Sequence, residues 1–83
     1  MAKKVEIFTK SYCPFCKRAK NLLESKKIAY TENDVEKNPD NFARMQKMSN
    51  GARSVPQIFI DGKHIGGCDD LYALNESGEL DKI

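Results

Sequence analysis

Residues 5–16 read Val5-Glu6-Ile7-Phe8-Thr9-Lys10-Ser11-Tyr12-Cys13-Pro14-Phe15-Cys16. The first five are apolar or β-branched apart from one glutamate, which is typical of a buried strand. Pro14 suits the first turn of a helix, because its missing N–H has no helical partner there. Four apolar residues then fall on one helical face, namely Cys16, Ala19, Leu22 and Leu23. The segment therefore predicts a strand over residues 5–9, followed at once by a helix from Pro14 to Lys26.

The rest of the chain continues this alternation of strands and helices. Residues 28–31 are mostly apolar or β-branched and predict a second strand. A second helix is expected to begin at the start signal Asn38-Pro39 and to end at residues 49–51. Residues 57–60 and 63–65 flank an Asp-Gly pair, which predicts a hairpin with a type I′ turn. After Gly66-Gly67 we expect a last helix, with Asp69 or Asp70 as its cap and with Leu71, Leu74 and Leu80 on it.

The predicted order is β-α-β-α-β-β-α, which defines an α/β fold. The first β-α-β unit requires a parallel strand pair with a right-handed crossover, and the hairpin adds antiparallel strands. A four-stranded mixed sheet flanked by helices buries these elements economically. Because the 83 residues contain no linker, repeat or low-complexity segment, we expect a single domain over residues 1–83.

Composition and charge exclude several classes of protein. With 40% hydrophobic and 31% charged residues, the chain is typical of a globular rather than a disordered protein. The net charge of +2, with bases interspersed among acids, argues against nucleic-acid binding. No apolar run approaches the roughly 18 residues of a membrane span, and the basic start is not followed by a signal-peptide core. We therefore expect a cytoplasmic protein with neither a nucleic-acid nor a membrane partner.

The chemistry is concentrated in Cys13 and Cys16, two of three cysteines. An odd and low cysteine count is not typical of a secreted disulfide scaffold, so a close pair points to redox catalysis or metal binding. Cys13 lies at the start of the predicted helix, where free N–H groups and partial positive charge stabilise a thiolate. Cys16 lies one turn further on and is expected to be buried. The pattern predicts that Cys13 attacks and Cys16 resolves.

Two other interpretations of the cysteines stay open from the residues alone. Cys13 and Cys16 could bind zinc together with Cys68 and the single histidine, His64, since zinc usually takes four such ligands. A zinc knuckle needs its cysteines on a tight turn, however, whereas Pro14 places the pair at a helix start. The pair could also be structural and inert, although Cys13 falls where the chain changes from strand to helix.

Three segments carry a family resemblance. They are Thr-Lys-Ser-Tyr-Cys-Pro-Phe-Cys at residues 9–16, Ser-Val-Pro at residues 54–56 and Gly-Gly-Cys-Asp-Asp at residues 66–70. In sequence and in order they resemble the signature segments of the dithiol glutaredoxins, most closely those of the small bacterial type. Phe15 stands where the family most often has tyrosine, and Ser54 where threonine is commoner.

The resemblance implies a thioredoxin-like fold and a glutathione-dependent disulfide oxidoreductase. Its substrates would be protein–glutathione mixed disulfides and protein disulfides, with ribonucleotide reductase a typical partner in the family. Glutathione would be the reducing co-substrate, with no permanently bound cofactor, no metal and a monomeric state. Two rivals are a redoxin reduced by thioredoxin reductase and an iron–sulfur carrier that uses Cys13 and glutathione as cluster ligands. The segment at residues 66–70 argues against the first, and Pro14 argues against the second.

The resemblance also implies the outline of a glutathione site. The backbone of Val55 would pair with the cysteine of glutathione, and Pro56 would be cis. Lys10 would meet the glycine carboxylate. Tyr12 and Phe15 would flank the thiol or pack locally.

The opposite end of glutathione would lie at the last helix. The Gly66-Gly67 turn and the N–H groups of Cys68 and Asp69 would hold the γ-glutamyl carboxylate, and Asp69 or Asp70 would meet the amine. Since glutathione carries two carboxylates and one amine, the combination of a lysine, a helix N-terminus and an aspartate pair suits it. His64 is expected to be an ordinary hairpin residue. A further carboxylate contact from Arg44, Gln46 or Lys47 remains open.

Overall fold

The computed structural model describes residues 3–82, which form one four-stranded sheet with helices on both faces. In chain order, β1 is Val5–Thr9, α1 is Pro14–Ser25, β2 is Thr31–Asp34, α2 is Pro39–Met48, β3 is Gln57–Ile60, β4 is Lys63–Gly66 and α3 is Cys68–Glu76. A short 3₁₀ helix, Glu79–Lys82, follows. The predicted fold class and element order are confirmed. No helix within residues 3–82 combines the length and the apolar character needed to cross a membrane.

The strand order is β2-β1-β3-β4, with β1 in the centre next to β3. β1 pairs in parallel with β2 and antiparallel with β3, and β3 pairs antiparallel with β4. Asp61 and Gly62 both have positive φ, at 52° and 79°, as the predicted type I′ turn requires.

Side chains of β1 alternate between two core clusters, one on each face of the sheet. Val5 and Ile7 pack with residues of α1 and α3, including Leu23 and Leu71. Phe8 packs on the other face with Met45 of α2 and with Phe59. Because both faces of the sheet are covered, β1 is buried along its whole length, and its C-terminal end is held where α1 begins.

The predicted position of the second strand was wrong by three residues. The sequence suggested residues 28–31, whereas β2 is Thr31–Asp34. Ile28 and Tyr30 pack against the first core cluster, and the Ile28 N–H donates to the carbonyl of Leu23 at 2.9 Å, closing the end of α1. The apolar residues therefore cover the helix end, while the strand itself is a polar edge strand with weak apolar patterning.

The last helix also differs from the prediction at both ends. Its N-cap is Gly67 and not an aspartate, so Asp69 and Asp70 lie inside the first turn. Asp70 nevertheless stabilises this end, because its Oδ2 accepts a hydrogen bond from the Gly67 N–H at 3.0 Å. Leu80 is buried, but it lies on the 3₁₀ helix after Gly78, whose φ of 84° separates the two elements.

Candidate active site

Cys13 is the N-cap of α1, in extended backbone conformation, with Pro14 as the first helical residue. Its Sγ accepts a hydrogen bond from the Cys16 N–H at 3.2 Å. The preceding turn is tight, since Tyr12 has a φ of 59° and a fully exposed side chain. Cys13 is partly exposed. The sulfur therefore lies where an N–H donor and the helix dipole favour negative charge and where a second thiol can approach.

Cys16 has the opposite environment. It lies on the buried face of α1, about 1% exposed. Burial raises the pKa of the Cys16 thiol to about 12, and the hydrogen bond with Cys13 acts in the same direction. The backbone N–H of Lys10 and the charge of Lys20 counteract part of this effect. At neutral pH Cys16 is therefore held as a thiol.

The loop before β3 approaches Cys13 from the side. Its Val55–Pro56 peptide bond is cis, as the resemblance implied. The Cys13 thiol donates to the carbonyl of Val55 at a sulfur–oxygen distance of 3.8 Å. A Cβ added at Gly67 would lie 3.4 Å from the Pro56 carbonyl, so the start of α3 packs closely behind this loop.

Three grooves adjoin the contact between Cys13 and Val55: Cys13 lines one of them and Val55 lines the other two. The α3 groove contains eight residues of the predicted glutathione site: Phe15, Val55, Pro56, Gly66, Gly67, Cys68, Asp69 and Asp70. The α1 groove lies along the helix and contains Lys10, Tyr12, Cys13 and Cys16, together with Lys20 and Glu32. The α2 groove joins Lys10 to Val55 and to Arg53. All predicted site residues therefore line one or more of the three grooves.

The charges at the two ends of this surface differ. At the α3 groove, Asp69 and Asp70 are both exposed, and one oxygen of Asp70 is engaged with the Gly67 N–H. At the α2 groove, exposed Lys10 and Arg53 supply positive charge, while the Glu36 carboxylate accepts hydrogen bonds from the N–H and hydroxyl of Ser11. A ligand with an amine at one end and a carboxylate at the other fits this distribution.

The remaining cysteine and the histidine have structural environments. Cys68 is the first residue of α3 and is buried, which raises the pKa of its thiol. His64 stacks on Phe59 with ring centroids 5.0 Å apart, and its Nε2 lies 2.6 Å from Gln57 Oε1. Across the described part of the chain, residues 3–82, no three His, Cys, Asp or Glu side chains are grouped as metal ligands.

Sequence reasoning missed two residues of this surface. Arg53 lines the α2 groove. The signal that could have revealed Arg53 is its position as a basic residue three places before Pro56. Gln57 is buried and donates through Nε2 to the Ser54 carbonyl at 3.0 Å, which ties the cis-proline loop to β3. Of the three candidates on α2, Arg44 is instead paired with Glu6, with an N–O distance of 2.7 Å.

The fold and the site together define a class. A thioredoxin-like α/β fold with a partly exposed thiol at a helix start and a buried thiol one turn later is a thiol–disulfide oxidoreductase. The family model described as Glutaredoxin matches residues 5–65. The chain belongs to the glutaredoxin family.

Individual relatives agree with this assignment. The chain is 53% identical to glutaredoxin 3 of Escherichia coli strain K12 over 79 residues, covering 95% of this chain and 94% of that protein. The solution structure of a glutaredoxin from Brucella melitensis has a TM-score of 0.79 and 47% identity, covering 95% of this chain and 85% of that one. A buckwheat glutaredoxin–glutathione complex has a TM-score of 0.83 and 32% identity, covering 94% and 73% of the two chains.

Proposed function

We propose that this glutaredoxin uses glutathione to reduce protein–glutathione mixed disulfides and protein disulfides, with Cys13 as nucleophile and Cys16 as resolving thiol. The observation that carries the proposal is the contrast between the two thiols. Cys13 is partly exposed and its Sγ accepts a hydrogen bond from the Cys16 N–H at the N-terminus of α1, whereas Cys16 is buried. Only Cys13 can meet a substrate disulfide without a change in the fold.

The first half of the cycle removes glutathione from a substrate protein. The Cys13 thiolate attacks the glutathione sulfur of the mixed disulfide, and the substrate sulfur leaves as a thiolate that takes a proton from solvent. A second glutathione thiolate then attacks the Cys13–glutathione disulfide. It releases glutathione disulfide and restores the Cys13 thiolate, so Cys16 is not required.

A protein disulfide follows a second route. Cys13 attacks one sulfur, and Cys16 then attacks Cys13 Sγ, which releases the reduced substrate and leaves a Cys13–Cys16 disulfide. Two molecules of glutathione reduce that disulfide and leave as glutathione disulfide. Because glutaredoxin potentials of roughly −200 to −230 mV lie near that of the glutathione pool, both routes are reversible.

The grooves support a specific orientation of glutathione. Val55 would pair its backbone with the central cysteine of glutathione beside Cys13, and Lys10 would bind the glycine carboxylate from the α2 groove, with Arg53 beside it. The γ-glutamyl carboxylate would lie at the N-terminus of α3, where free N–H groups and the helix dipole favour an anion. Asp69 and Asp70 line the same groove and would meet the amine.

The test is a coupled assay with glutathione, glutathione reductase and a glutathionylated peptide. Cys13→Ser is expected to abolish turnover, and Cys16→Ser is expected to retain it while losing the reduction of a protein disulfide. Cys68→Ser provides a control for the loss of a thiol, because the Cys68 side chain is buried and only its backbone N–H, which the substitution keeps, is assigned to glutathione. Glutathione-dependent turnover by the Cys13 variant would refute the assignment.

A further inference from the structure

We propose, on the basis of the function proposed above, that Lys20 is a positioning residue for the resolving step, held by Glu32 so that its ammonium stabilises the Cys16 thiolate during attack on Cys13. The proposal concerns only the dithiol route. It assigns a role to the polar cluster that faces the α1 groove, which the deglutathionylation cycle does not need.

Helix geometry places Lys20 beside Cys16. The two residues are four positions apart on α1, so their side chains are neighbours on one face, with Cβ atoms about 5–6 Å apart. Both line the α1 groove together with Cys13. The Lys20 side chain is only 28% exposed, so its charge is less screened by solvent than that of a free surface lysine.

A hydrogen-bonded anchor holds this lysine. Lys20 Nζ lies 2.9 Å from Glu32 Oε2, and the same oxygen accepts a hydrogen bond from Thr9 Oγ1 at 2.7 Å. Thr9 is buried at the end of β1. The Thr9 hydrogen bond lowers the pKa of Glu32, burial opposes it, and the bond to Lys20 adds to the lowering. The carboxylate therefore stays charged at neutral pH and keeps Lys20 beside the groove.

The resolving thiol needs such help because its surroundings oppose ionisation. Cys16 is buried, and the neighbouring Cys13 also disfavours its thiolate, while Lys20 is the side-chain charge that favours it. Other charged groups lining the α1 groove are Lys10, Lys17, Glu24 and Asp34. Lys17 follows Cys16 directly and is exposed, so its charge is screened by solvent more strongly than that of Lys20.

The step balances without an added reactant. Cys16 loses its proton and attacks Cys13 Sγ in the mixed disulfide, which forms the Cys13–Cys16 bond and breaks the bond between Cys13 and the substrate. The substrate sulfur leaves as a thiolate and takes up one proton, so the two cysteines are oxidised and the substrate disulfide is reduced. Lys20 neither gives nor takes a proton.

A single-turnover measurement isolates this step. In a Cys68→Ala background, Cys13 is loaded with thionitrobenzoate in acid, and release of the coloured thiol is followed after a jump to higher pH. Cys16→Ser should not release it, which establishes that Cys16 is the attacking group. Each unit by which the pKa of Cys16 rises lowers the thiolate fraction about tenfold but raises its nucleophilicity about threefold, so Lys20→Met should slow release by about threefold for each such unit.

Three further readouts separate assistance from general damage to the fold. Lys26→Met is the matched control. Lys26 is another partly buried lysine, paired with the Asp81 carboxylate at the C-terminal end of α1 and away from the cysteines. The Lys26→Met variant should release thionitrobenzoate at the same rate as the parent protein. The rising limb of the rate–pH profile should shift to higher pH in Lys20→Met, by about half a pH unit for a threefold slowing on a limb of unit slope, and should return in Lys20→Arg. Deglutathionylation in the coupled assay should be unchanged by Lys20→Met.

The outcomes also separate the two proposals. Equal release rates for Lys20→Met and Lys26→Met would overturn the role of Lys20. So would a Lys20→Met variant in which deglutathionylation is slowed as much as thionitrobenzoate release. A wild-type protein that releases thionitrobenzoate normally but shows no glutathione-dependent turnover would instead overturn the proposed function and leave the Lys20 assistance in place.

Discussion

Gly66→Ala tests whether the turn before α3 is built around the carboxylate of Asp70. Gly66 has a φ of 128°, and a Cβ built on it would lie 2.2 Å from Asp70 Oδ2 and 2.9 Å from Asp70 Cβ. The Asp70 side chain must therefore move and lose its hydrogen bond to the Gly67 N–H. Loss of a cap costs about 0.5–2 kcal/mol, and a non-glycine residue at such a φ costs about 1–3 kcal/mol.

The expected loss in the free energy of unfolding is about 2–4 kcal/mol, or a fall in Tm of about 10–25 °C for a domain of this size. Urea and thermal unfolding followed by circular dichroism would measure it. Gly62→Ala is the matched control, since Gly62 also has a positive φ of 79° but no atom within 4 Å of a built Cβ. It should lose only the backbone contribution, about 1–2 kcal/mol.

A double substitution separates the clash from the strain. If the steric conflict with Asp70 causes the extra loss, Gly66→Ala combined with Asp70→Ala should cost little more than Gly66→Ala alone, because the cap is already broken. The KM for glutathione should rise in both variants, since the reorganised turn lies at the α3 groove. A Gly66→Ala cost no larger than that of Gly62→Ala, or fully additive costs, would refute this reasoning.

Two further predictions concern contacts on the other side of the sheet and in the cis-proline loop. Burial raises the pKa of Glu6, but the hydrogen bond and charge of Arg44 outweigh it and leave that pKa below its usual value. Because the folded pKa is the lower one, the ion pair of Glu6 and Arg44 stabilises the fold fully above the unfolded value of ~4.3, and this contribution is lost as the pH falls toward the folded value. Arg44→Met should therefore reduce the loss of unfolding free energy between about pH 5 and 3, measured by urea unfolding. The same dependence of unfolding free energy on pH in both proteins would contradict this prediction. Gln57→Leu removes the donor to the Ser54 carbonyl and the acceptor near His64, which should destabilise the fold by about 1–3 kcal/mol. It should also raise the glutathione KM by up to about tenfold with little change in kcat. A fall in kcat at constant KM would show that the cis-proline loop does not act through glutathione binding.

Much of the site could be predicted because its central part is local. The N-cap position of Cys13 and the helical start at Pro14 follow from rules that act over a few residues, and the burial of Cys16 follows from the apolar spacing of α1. The hairpin turn at Asp61 and Gly62 is equally local. In each case the structure-determining signal lies within one turn of the residue concerned, so tertiary packing has little chance to override it.

The cap of α3 shows where local rules reach their limit. An aspartate is a better N-cap than glycine by side-chain chemistry, and that preference suggested Asp69 or Asp70. The chain instead places Gly67 at the cap, where a built Cβ would be in ordinary contact with the Pro56 carbonyl at 3.4 Å. Glycine has no side chain to accept a capping hydrogen bond, and Asp70 instead accepts one from the Gly67 N–H within the first turn of the helix.

The missed strand had a larger consequence, because the surroundings of the resolving thiol depend on its register. Glu32 pairs with Ile7, and Ile7 packs on the α1 side of the sheet, so Glu32 faces the helix that carries Lys20. A shift of one residue would turn Glu32 toward α2 and leave Lys20 without its anchor. A strand assigned to residues 28–31 places Glu32 in a connecting loop, where it would be predicted to be a solvent-exposed charge without a role in the site. The register of a polar edge strand, which apolar patterning cannot determine, thus places a carboxylate in the groove behind Cys16.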